Sequence, residues 1–176
     1  MHLQLPHNAY LYSGLLILLL FVAILDLKTR KIPNAMTYSL MSIGIVLLFL
    51  PGFGIGIKDV IINTLLTILI FGYGFYKKQF GGGDFKLILA IGFYLKWVVF
   101  IKFLILMIAF GAVAAFMKSF KEIYKTYKAS NMDIRYMSID SVISLIKSSS
   151  SKKLAYGFCI FAGFLIIYLK EIISVI

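Results

Sequence analysis

Six runs of almost unbroken apolar residues, at about 9–25, 36–50, 59–76, 85–95, 98–117 and 154–169, dominate this chain. A membrane-crossing helix needs roughly 20 apolar residues to span a hydrocarbon core about 30 Å thick. Backbone polar groups cannot stay unpaired in lipid, so runs of this kind fold as helices. The expected fold is therefore all-α: a polytopic membrane protein with about six transmembrane helices, residues 1–176 forming one membrane-embedded domain. Hydrophobic residues make up 61% of the 176 positions, far more than a soluble domain can bury. The fourth run is the exception. About eleven residues reach only about 17 Å, which implies a short helix with Lys96 and Lys102 snorkelling to the interface, or a re-entrant segment.

Charge then orients the bundle. With the N-terminus outside, the loops after runs one, three and five are cytoplasmic. Of the 18 Lys and Arg residues, only Lys58, Lys96, Lys102 and Lys170 fall on the other side. That asymmetry predicts an N-out, C-out topology. It also accounts for the net charge of +11 through anionic lipid at the cytoplasmic face, without nucleic acid. The first run lacks a preceding basic residue and a small-residue cleavage site, so it is read as a span and not as a cleaved leader. The basic segment 118–153 mixes Phe120, Ile123, Tyr124 and Tyr127 with Lys121, Lys125 and Lys128, a spacing suited to a surface helix or a solvated loop. Ser148-Ser149-Ser150-Ser151 reads as a linker into the last span.

The same inventory narrows the chemistry. The one cysteine, Cys159, lies in an apolar run, and both histidines, His2 and His7, lie at the N-terminus. Neither a buried catalytic imidazole nor a zinc motif is expected, and no cofactor is called for. Of the seven acidic residues, Asp59, Glu122, Asp133, Asp140 and Glu171 fall in loops or near chain ends. Asp26 and Asp84 instead adjoin hydrophobic runs, and the topology puts both at cytoplasmic helix ends. Each has a plain explanation. Asp84 can cap the helix it opens, and Asp26 can be neutralised by Lys28, Arg30 or Lys31. Ionisable groups beside a span are nonetheless costly, and two at one depth point to a site. Two close carboxylates share a proton. The ionised one can take a proton from water while the protonated one donates to a peptide carbonyl. Gly81, Gly82 and Gly83 before Asp84 allow close backbone approach, or form an ordinary flexible turn.

At these residues the chain resembles the type IV prepilin peptidases. Asp26 followed by Ile32-Pro33-Asn34 is similar to their first signature, and Gly81-Gly82-Gly83-Asp84-Phe85-Lys86-Leu87 to their Gly-x-Gly-Asp-x-Lys-Leu signature. Ala155-Tyr156-Gly157 is similar to a Pro-Tyr-Gly entry to the last span, with Ala155 in place of proline. The resemblance implies a membrane aspartyl endopeptidase with Asp26 and Asp84 catalytic. Ile32, Pro33, Asn34, Gly81, Gly83, Lys86, Tyr156 and Gly157 would support the site or its substrate. It implies prepilin, preflagellin or pseudopilin precursors as partners, cut at the cytoplasmic face of the cell membrane. Longer bacterial members carry paired Cys-x-x-Cys motifs and methylate the new N-terminus. The single cysteine here implies a peptidase only, like tight-adherence pilus or archaeal enzymes. Two alternatives stay open. A presenilin-like protease shares Gly-x-Gly-Asp but carries Tyr-Asp where this chain has Leu25-Asp26. A non-enzymatic assembly or transport subunit would use both aspartates structurally.

Overall fold

A computed structural model describes residues 7–50, 54–77, 81–130 and 156–173. Among them are six α-helices and no strand: α1 His7–Thr29, α2 Asn34–Leu48, α3 Ile57–Tyr76, α4 Gly82–Ile91, α5 Trp97–Ser130 and α6 Tyr156–Ile173. Leu11–Thr29, Ile57–Tyr76 and Trp97–Lys121 are long and apolar enough to cross a membrane, and α2 and α6 are shorter apolar helices. The protein is an all-helical membrane protein. Several boundaries differ from the apolar runs. Helix α1 continues a turn past Asp26, because a charged last turn still satisfies the backbone. Helix α5 continues to Ser130, so the aromatic and basic stretch through Tyr127 prolongs a spanning helix and does not begin a separate one. The linker Ser148–Ser151 and the rest of the polar segment from 131 lie outside the described residues.

The core forms where helical spacing aligns one stripe per helix. Leu15, Leu19, Val22 and Ala23 of α1, Leu87, Ile88, Ala90 and Ile91 of α4, Phe100, Phe103, Leu104 and Met107 of α5, and Cys159, Ile160 and Phe164 of α6 are buried. Lipid is as apolar as these side chains, so close packing, and not exclusion from water, favours their association. Small residues and ring contacts bring the helices together. Gly163 of α6 lies against the Met107 backbone of α5, and Phe103 meets Phe164 edge-on at 6.5 Å. Outward-facing Ile17, Phe21, Leu65, Leu69 and Ile105 leave an apolar exterior suited to lipid.

Helix α4 is the shortest of the six described helices. Ten residues give about 15 Å of helix, and the chain then turns through Gly92–Leu95 while still buried. A helix end at such depth needs donors for its last carbonyls. Asn63 of α3 supplies two, its Nδ2 donating to Gly92 O and Leu95 O at 2.8 Å each. The Tyr94 hydroxyl donates to Leu40 O of α2 at 2.7 Å. At the same end, Asp59 Oδ2 accepts from the amide of Gly56, the N-cap of α3, and its Oδ1 accepts from the Trp97 amide that opens α5. Asp59, a loop charge by sequence, is thus the acceptor that joins the starts of two helices.

Candidate active site

The other end of the bundle holds both signatures. Helix α1 stops where Arg30 adopts φ 52°, with its amide donating to Asp26 O at 2.8 Å. That left-handed residue reverses the chain, and the Thr29 hydroxyl braces the turn by bonding to the Leu25 and Lys31 carbonyls. Pro33 follows as the residue before α2, with φ −62° already set by its ring. Only Arg30 to Pro33 therefore separate α1 from α2.

This short turn lies against the start of α4. A Cβ on Gly83 would fall 2.9 Å from Ile32 Cβ and 3.2 Å from Ile32 O, so a glycine is what lets the two segments touch. One residue past Pro33, Asn34 Oδ1 accepts from Lys86 Nζ at 3.1 Å, and the same ammonium donates to the Tyr38 hydroxyl at 2.9 Å. Phe75 of α3 stacks on Phe85 at 4.8 Å between ring centroids. The Ile-Pro-Asn and Gly-x-Gly-Asp-x-Lys segments are thus a single joint. Tyr38 was not singled out by sequence; its position one turn after Asn34 on α2 is the signal that finds it.

Asp26 and Asp84 continue the buried stripes of their helices. Asp26 stands one turn beyond Val22 and Asp84 one turn before Leu87 and Ile88, with exposures of only 4% and 9%. Their local roles differ. Asp84 is in the first turn of α4, its carboxylate folded back over Gly81 so closely that a Cβ there would collide with it. Asp26 is near the C-terminus of its own helix, where the dipole opposes an anion. The tertiary structure offsets that penalty in part. Asp26 Oδ2 accepts from the Gly157 amide at 2.8 Å, at the N-terminus of α6, where unpaired N–H groups and the dipole favour a carboxylate. Arg30 is close enough to add attraction.

Helix α6 brings the two acids into one neighbourhood. The Cys159 side chain is within electrostatic range of both carboxylates, and the Tyr156 phenol within range of Asp84. Cys159 itself is buried. Tyr156 also packs against Gly111, which ties α5 to the same junction. Among the described residues no group of three His, Cys, Asp or Glu side chains is arranged to hold a metal ion. What the site offers is acid–base chemistry: two carboxyl groups at the joined ends of α1, α4 and α6, beside a backbone that excludes side-chain bulk at Gly83 and Gly157.

Comparison with known proteins adds an independent line. A curated prepilin leader peptidase/N-methyltransferase of Pectobacterium carotovorum subsp. carotovorum is 34% identical over 104 residues, which cover 54% of this chain and 37% of that protein. The matched part thus spans little more than a third of the relative's length. No solved structure matches. The type IV leader peptidase family matches residues 13–116, a stretch holding Asp26, Ile32, Pro33, Asn34, Asp84 and Lys86 and ending before α6. That match covers more than half of the 176 residues and both signature segments, and the chain belongs to the type IV leader peptidase family.

Proposed function

We propose that this protein is a leader peptidase of the aspartyl type that cuts the leader from prepilin, preflagellin or pseudopilin precursors. The observation that carries the reading is that Asp26 and Asp84 are both buried in a member of this family, with Asp26 bonded to the first turn of α6 and that turn's Cys159 within electrostatic range of both carboxyls. Two carboxyls in one low-dielectric site share a proton. The ionised carboxylate removes a proton from water as the oxygen attacks the scissile carbonyl carbon. The protonated carboxyl gives its proton to the carbonyl oxygen. Collapse of the tetrahedral adduct breaks the C–N bond: the departing amine takes the proton first lifted from water, and a hydroxyl of the adduct returns its proton to the second carboxylate, restoring the shared-proton pair. The Gly157 amide holds Asp26 Oδ2 in place for this step.

Positive charge in Lys28, Arg30 and Lys31 beside Asp26 supports a cytoplasmic site in a multi-pass protein of the cell membrane, with N-out and C-out ends and one peptidase domain. The same charges suit anionic lipid headgroups. Asparagine separates catalysis from structure, because it keeps an oxygen that can accept from the Gly157 amide but cannot serve as base or acid. Co-expressed with a prepilin from the same genome, wild type should yield a shortened product. Asp26→Asn and Asp84→Asn should reach the membrane at wild-type levels and yield none. Cleavage by either Asn variant at a rate near wild type would remove the aspartyl mechanism. Loss of the protein from the membrane in the Asn variants would favour the structural alternative.

A further inference from the structure

We infer that Asn63, at the end of the bundle away from the acids, is a positioning residue that sets where Asp84 stands. This role rests on the peptidase reading and follows from what α4 lacks. It is a ten-residue rod with Asp84 in its first turn and a C-terminus that stops inside the bundle. Gly92 and Leu95, whose carbonyls follow that end, are buried, Leu95 at 1% exposure. Without water there, those oxygens bond to protein or stay unpaired.

Asn63 is the donor they meet. It is 0% exposed and lies on the α3 stripe with Thr67 and Phe71, so an amide occupies a place where a packed apolar side chain would otherwise serve. Both of its bonds to other elements run from Nδ2 to the end of α4, at 2.8 Å. Its Oδ1 has no hydrogen-bond partner among the described residues. The amide therefore acts as a one-sided donor to this helix end. By contrast, the Thr67 hydroxyl donates back to the Asn63 carbonyl of its own helix, at 2.8 Å. A rod of α4's length does not bend, so the anchor at one end limits tilt and slide at the other. Helix α3 grips the Asp84 end as well, through the Phe75–Phe85 stack. One helix thus clasps α4 at both ends, and Asn63 is the polar half of the clasp.

The test uses the full chain in lipid nanodiscs, with hydrogen exchange by mass spectrometry beside steady-state cleavage of a prepilin. Asn63→Leu removes the donors, and Asn63→Asp keeps the shape while setting oxygen against oxygen. Thr67→Val is the control for a buried polar group whose hydrogen bond stays within α3. Both Asn63 variants should raise exchange across Gly82–Ile91 by about tenfold or more, with α1 and α6 unchanged. They should lower kcat by a similar factor, with KM within about twofold. Thr67→Val should match wild type in both readouts. Should Asn63→Leu fail to fold, the isosteric change Asn63→Asp carries the test. Wild-type kcat and α4 protection in the Asn63 variants would overturn the inference, and so would exchange rising equally in every helix. If wild type itself fails to cleave, the peptidase reading falls, while selective exposure of α4 would still establish the anchor.

Discussion

Gly157 is the most exacting position at the site, and replacing it with alanine tests the arrangement directly. A Cβ at 157 would stand 2.9 Å from both Cβ and Oδ2 of Asp26 and 3.2 Å from its Cγ. Ordinary contacts begin near 3.4 Å, so α6 or Asp26 must retreat by about half an ångström or more. Neither partner yields easily, since Asp26 sits on a buried stripe and its Oδ2 is bonded to the Gly157 amide itself. Overpacking of this kind costs about 1–3 kcal/mol in stability. Displacing a reacting carboxylate by up to about 1 Å costs as much as about 10²-fold in rate. Gly157→Ala should therefore fold, lose about 10- to 100-fold in kcat, and melt lower than wild type. The assay is initial-rate cleavage of a prepilin by the purified protein, paired with thermal unfolding. Gly163→Ala is the matched comparison, crowded by Met107 N at 3.2 Å but further along α6 from Asp26. It should lose comparable stability and far less activity. Gly14→Ala, where nothing lies within 4 Å, should be neutral or slightly stabilising. Full activity in Gly157→Ala would refute the claim that the amide at 157 holds the carboxylate in place.

Two further outcomes follow from the same contacts. Gly83→Ala should lower activity by about tenfold or more, and trimming the neighbour with Ile32→Ala should not restore it, because the collision is with Ile32 Cβ and carbonyl, which alanine retains; cleavage rates of the single and double variants check this. Asp59→Ala removes the acceptor for the Gly56 and Trp97 amides and should cost about 1–2 kcal/mol in thermal or denaturant unfolding, with cleavage per folded molecule unchanged.

Much of the architecture was legible along the chain because lipid imposes a one-dimensional rule: backbone groups must pair locally, so each long apolar run becomes a helix. The oddity of run four was legible too, as a length too short to span. The signature residues were also visible, but not their division of labour. Ile32 and Gly83, or Asn34 and Lys86, are contacts between segments about 50 residues apart, and no local pattern pairs them. The polar residues Asn63 and Thr67 lie inside an apolar run and were not singled out by sequence, and the partner of Asn63 lies on another helix.

Residue order alone determined a helical membrane protein with acids at the ends of two apolar stripes, since helix formation and side-chain periodicity are properties of a local segment. Only the tertiary structure decided that Asp26 caps α6 across 131 residues of chain, giving an acid opposed by its own helix dipole a hydrogen-bond donor at the start of another helix. The physical reason is that a dipole, a hydrogen bond and a close contact depend on distance in space, and packing alone fixes which helix ends meet.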